Sequence, residues 1–203
     1  MSIEKLKELA VANKILWEED LLLDQIVYDR FSPLFDLDVI NKPLTQAWAT
    51  EFKKFLRVNE NKHWNLVNPG IFKNLRDIVK IQSFLGIILN ESVSLFERID
   101  SLSIYVTYYN PPREPMLPGV SILLIMGIHV FTNPKKYHYL DQYEGKLLQR
   151  IGVLPAGQVA MNPAAWYPSQ VESIQILMEQ CQCNGLGLNR LLKAYQDIYF
   201  PGK

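Results

Sequence analysis

The residues best suited to chemistry in this chain are His129, His138, Asp141 and Glu144, gathered in the stretch "IHVFTNPKKYHYLDQYEGK". If residues 138–145 are helical, His138, Asp141 and Glu144 recur every third position and share a face. An imidazole and two carboxylates placed in that way could grip one divalent metal or activate one water, with His129 moving a proton. The protein would then be a metal-assisted hydrolytic enzyme. Asp141, Glu144 and Lys146 also resemble a fragment of the acidic-plus-lysine set of metal-dependent nucleases, but that chemistry usually takes one carboxylate from a separate strand. The plainer readings are a solvated helix face for His138 to Glu144, and for His129 a buried neutral ring bonded to a neighbour's backbone.

Three further patterns carry potential chemistry. Cys181-Gln182-Cys183 supplies two soft ligands where a structural zinc site takes four, and the two cysteines are too close in sequence to bridge easily. Gly185-Leu186-Gly187, ahead of Arg190, could cradle an anion through backbone N–H groups. The third glycine of a dinucleotide fingerprint is missing, so a helix-to-helix turn is the simpler expectation. The stretch 42–80 interleaves Lys53, Lys54, Arg57, Lys62, Lys73, Arg76 and Lys80 with Trp48, His63 and Trp64, which suits nucleic acid or an acidic protein surface. Neither a nucleophile signature nor a GxxxxGK[ST] phosphate loop occurs, and no cofactor is implied.

These residues must be held by a fold that the hydrophobic pattern outlines. Apolar residues recur at helical spacing from Ile3 to Ala10 and resume from Leu21 to Phe31, as one helix or two. A stripe of Leu44, Ala47, Trp48, Phe52, Phe55 and Leu56 predicts an amphipathic helix after Pro43. Beyond Asn68-Pro69-Gly70, the same period from Ile71 to about Arg98 predicts one central helix. At Ser101 the period changes to two, so "SLSIYVTYY" reads as a half-buried strand. After the proline-rich linker, the almost unbroken apolar run Val120 to Phe131 reads as a second, central strand, paired antiparallel to the first. "YLDQYEGKLLQRIG" is expected as a short helix, and "LPAGQVAMNPAAWYPS" as a short strand and a loop. Pro168 then starts the first helix of a C-terminal hairpin, which returns from Leu188 to Ile198.

The expected fold class is therefore α+β: a helical region 1–100, an α+β region 101–203 with a small antiparallel sheet around 101–131, and one compact domain overall. The chain of 203 residues is long enough for that, and 48% hydrophobic with 21% charged residues is ordinary for a globular protein. Lysine plus arginine and aspartate plus glutamate balance at 21 each. The charges are nevertheless segregated. Met1 to Asp38 holds nine acidic and four basic residues, a net of −5, while Lys42 to Lys80 holds eight basic and three acidic, a net of +5. The N-terminus lacks a signal-type apolar core and no apolar run reaches the roughly 20 residues of a spanning helix, so the expected location is the cytoplasm.

The function these features suggest is a non-catalytic interaction protein, an accessory or adaptor subunit. It would bind a protein partner through helical surfaces, with Lys53, Lys54 and Arg57 as the charged contacts and Trp166 and Tyr167 as aromatic anchors. A homo-oligomer is compatible with the sequence. The metal-assisted enzyme and a nucleic-acid binder through 42–80 are the alternatives.

Overall fold

The computed structural model describes residues 2–12, 25–57, 77–102, 122–140, 142–155 and 163–200, and every regular element among them is helical. The helices are α1 (Ile3–Ala12), α2 (25–31), a 3-10 turn (Ser32–Phe35), α3 (Leu37–Ile40), α4 (Gln46–Leu56), α5 (Ile78–Leu89), α6 (Leu95–Ser101), α7 (Ile122–Thr132), α8 (Gln142–Arg150), α9 (Pro163–Gln180) and α10 (Gly185–Tyr199). The expected α+β class, with its antiparallel sheet, is therefore overturned.

The decisive correction is α7. Its residues Leu124 to Phe131 are all buried, so the apolar run is a helix covered on every side rather than a strand covered on two. A segment without a polar face carries no period, and its length of 11 residues belongs to helices more than to strands. The companion strand at 101–109 also loses its start, since Ser101 closes α6 and Leu102 caps it. The rest of that segment lies outside the described residues, as do the join between α1 and α2 and the expected start of the central helix at 71–76.

That central helix is two. α5 stops at Leu89, the Asn90 carboxamide accepts from the backbone and hydroxyl of Ser92, and α6 begins anew at a capping box. The Ser94 hydroxyl accepts from the Glu97 backbone N–H, and the Glu97 carboxylate accepts from the Ser94 N–H. Each bond satisfies a donor that helix geometry leaves orphaned. The signal Ser94-x-x-Glu97 is plain in the sequence.

Residues 163–167, expected as loop, belong instead to α9, which starts at Pro163 and not at Pro168. Asn184 caps α10 by accepting from the Gly187 N–H, so Gly185-Leu186-Gly187 forms the first turn of a helix. Gly185 is required there: its N–H donates to the Pro134 carbonyl at 2.7 Å, and a Cβ would fall on the carbonyl oxygen of Tyr137.

Two hydrophobic clusters hold the helices together. The larger joins α2, the 3-10 turn, α4, α5, α6, α7 and the start of α9, with the rings of Phe35 and Phe55 4.9 Å apart and Phe55 and Phe131 5.0 Å apart. The smaller joins α1, α8, α10 and the later turns of α9, where Ile174, Leu177 and Met178 meet Leu6, Leu148 and Leu191. α9 thus serves both, Tyr167 and Val171 in one cluster and Ile174 onward in the other. No helix among the described residues is long and apolar enough to cross a membrane.

Candidate functional site

The structure does not place the histidine–carboxylate set on one helix. Residues 137–140 belong to no helix, α8 begins only at Gln142, and Asp141 lies outside the described residues. His138 and Glu144 therefore do not share a helical face. Glu144 turns inward to Asn189 on α10, whose amide nitrogen donates to both carboxylate oxygens at 3.2 and 3.3 Å and to the Tyr139 carbonyl at 2.7 Å. Among the described residues, no group of three histidine, cysteine, aspartate or glutamate side chains could hold a metal ion.

A different constellation forms around Arg98. Its guanidinium is buried on α6; Nη1 donates to the Ile88 carbonyl at 2.6 Å and Nη2 to the Tyr137 hydroxyl at 3.0 Å. Ile88 lies in the last turn of α5, where carbonyls lack helical partners and the helix dipole is negative, so a cation there is doubly favoured. Tyr137 passes the contact outward by donating to Glu91 at 3.0 Å, and Lys136 reaches the other Glu91 oxygen at 3.0 Å. Burial opposes ionisation of Glu91, yet the bonds from Lys136 and Tyr137 and the charges of Lys136 and Arg98 outweigh it and hold its pKa below the ordinary value. The buried cation thus reaches its countercharge through one hydroxyl.

His129 completes the group. From α7 its Nε2 faces the same Ile88 carbonyl at 3.3 Å and its Nδ1 faces the Tyr167 hydroxyl at 3.0 Å. A carbonyl can only accept, so Nε2 carries the proton and Tyr167 donates to Nδ1. The ring stacks on Tyr137, with centroids 4.4 Å apart. Burial, reinforced by the Arg98 charge, pushes its pKa down to about 3. His138 is equally buried, faces Gln170 Oε1 from Nε2 at 3.5 Å, and is pushed down to about 4 by burial. Both rings are neutral at pH 7. A general base works best with a pKa near the working pH, and these two lie well below it. Their partners, Arg98, Tyr137, Tyr167 and Gln170, were not legible from spacing, because they come from three separate segments.

The interaction residues fall in two places. Lys53, Lys54 and Arg57 are exposed along the end of α4, whose opposite face, with Trp48, Phe52 and Phe55, is locked into the larger cluster. Lys54 pairs with Glu51 one turn away. Trp166 is half-buried and packed against that cluster, and Tyr167 is fully buried, so Tyr167 cannot serve as an anchor for a partner. Of the rings in the basic stretch, Trp48 is buried, stacked on Phe52, with its indole N–H donated to the Leu34 carbonyl at 3.1 Å. Lys62, His63, Trp64, Lys73 and Arg76 lie outside the described residues.

Cys181 is buried in the smaller cluster and Cys183 packs against it; both are free thiols. Burial pushes their pKa values up to about 11 and about 12. They behave as apolar packing residues rather than as ligands. Comparison with known proteins adds no identity: no family model, no curated protein and no solved structure matches the chain.

Proposed function

We propose that the protein is a non-catalytic interaction subunit that engages an acidic protein surface through the basic edge of α4, formed by Lys53, Lys54 and Arg57. The observation that carries the reading is the division of α4 into two faces. One is fixed by aromatic packing to the core; the other holds three cations in solvent over five residues, Lys53 to Arg57. A rigid helix that presents charges at set spacing loses little side-chain and backbone freedom beyond the rotamers themselves on binding. The lysines also complement the dipole at the end of α4, which explains their tolerance there and not their number. The reading is further supported by the neutral, enclosed state of His129 and His138, which ties them to the core of the fold.

The test is affinity purification of the full chain from its own cells beside K53E/K54E/R57E, with bound proteins and nucleic acid both quantified. The proposal expects a protein at fixed stoichiometry that the charge-reversed variant loses by at least about tenfold. Retention of that protein by the variant, or recovery of nucleic acid in its place, refutes the reading.

A further inference from the structure

We propose that Asn184-Gly185 is a latent deamidation site, held closed by the docking of α10, where Asn184 is converted to aspartate or isoaspartate when α10 leaves the 134–138 loop. The pair is the only Asn-Gly step in the sequence. Such a step is chemically weak, because glycine has no side chain to shield its backbone nitrogen from the neighbouring carboxamide.

The reaction consumes only water. The Gly185 backbone nitrogen gives up its proton and bonds to the side-chain carbonyl carbon of Asn184. The bond from that carbon to the amide nitrogen breaks, and ammonia leaves with the proton. A cyclic succinimide with two carbonyls remains. Water adds to one of them and opens the ring, either as aspartate on the original backbone or as isoaspartate, whose backbone runs through the former side chain and is longer by one methylene.

The fold withholds both reactants. The Gly185 N–H donates to the Pro134 carbonyl at 2.7 Å, so a nitrogen stripped of its proton would face the lone pairs of that oxygen. The Asn184 carboxamide oxygen accepts from the Gly187 N–H at 2.9 Å, which ties the side chain to the first turn of α10 as its cap. The Asn184 backbone carbonyl is engaged as well, by the Leu188 N–H at 2.8 Å. Gly185 itself is buried and lies so close to the Tyr137 carbonyl that a Cβ has no room, which prevents it from swinging towards the carboxamide. Closure of the succinimide therefore waits for the first turn of α10 to lift from Pro134 and Tyr137.

The two products differ in what they permit afterwards. Aspartate keeps an oxygen for the Gly187 N–H and the carbonyl for the Leu188 N–H, and its charge sits where the helix dipole favours an anion. Isoaspartate turns the acceptor of the Leu188 N–H into a free carboxylate and displaces Gly185 by one methylene, at a place without room for one. α10 brings Leu188, Leu191, Leu192 and Tyr195 into the smaller cluster. A chain that has opened and isomerised can no longer close that cluster, so the site records opening irreversibly.

The experiment incubates the purified full chain at pH 8 in buffer and in urea. Peptide mass mapping follows the gain of about one dalton at Asn184, and labelling with an isoaspartyl methyltransferase counts isoaspartate. N184S, which keeps a capping oxygen and cannot deamidate, is the control. L188A loosens the first turn of α10 without touching the reacting pair, with the milder L188V in its place if melts show L188A unfolded. The expected result is conversion at least about a hundredfold slower in the native chain than in urea, and a native rate raised at least about tenfold by the loosened variant with its rate in urea unchanged. After removal of urea, α10 amides should exchange at least about tenfold faster in the isoaspartate product than in the aspartate product. Equal rates in buffer and in urea, a loosened variant as slow as the wild type, or equal exchange in the two products overturns the proposal.

Discussion

Acidification from pH 7 to pH 5 should destabilise this protein steeply, and the cause is the pair of buried imidazoles. His129 and His138 have pKa values of about 3 and about 4 in the fold, against an ordinary 6.5. The unfolded chain therefore takes up two protons, as pH falls below 6.5, that the folded chain refuses. Stability is fully present above that value and is lost progressively until the folded pKa values are reached. Per histidine the loss between pH 7 and pH 5 is about 1.9 kcal/mol, hence about 4 kcal/mol for the pair. This is a large part of the roughly 5–15 kcal/mol of a typical domain. His129 is faced by Arg98, Lys136, His138, Tyr137 and Tyr167, and His138 by Gln170 and Tyr167. Glu91, whose pKa is lowered below 4.5, adds its own loss only at lower pH. Urea unfolding at pH 7, 6 and 5 reads the slope directly. His138→Gln, which keeps a polar group near Gln170 but does not titrate, should halve it. Equal stability at pH 7 and 5 within about 1 kcal/mol, or an unchanged slope in the variant, would refute the enclosure of these rings.

Three other outcomes follow from single contacts. Gly185→Ala pushes a methyl group onto the Tyr137 carbonyl and to within 3.1 Å of the His138 Cα, and backbone cannot retreat as a side chain can; a loss of about 2 kcal/mol, read as a Tm drop of roughly 6 °C by calorimetry, is expected. Ser94→Ala removes the cap that restarts the chain as α6 and should cost about 1 kcal/mol in urea unfolding, with Glu97→Ala costing less. Cys181 and Cys183, with thiols pushed up to about 11 and about 12, should react with a thiol reagent at pH 7.5 far more slowly in the native protein than in urea; equal rates would contradict their burial.

What the sequence determined by itself was whatever depends on near neighbours. The stripe Trp48, Phe52, Phe55 and Leu56 has one buried face and one charged face, so its period identifies α4 and leaves Lys53 and Arg57 outside. Asn184 ahead of Gly185, and Ser94 ahead of Glu97, are caps whose partners sit three residues away. The charge division between 1–38 and 42–80 is likewise a linear property. Tertiary structure alone decided the rest. The run Val120 to Phe131 has no polar face, hence no period, and only the neighbours of its described part, from Ile122, reveal that it is wrapped as a helix. His129 acquires its tautomer and its low pKa from Ile88, Arg98 and Tyr167, which lie 41, 31 and 38 positions away. A buried charge takes its meaning from what surrounds it in space, and for Arg98 those surroundings are a helix end, a phenol and a carboxylate brought together only by folding.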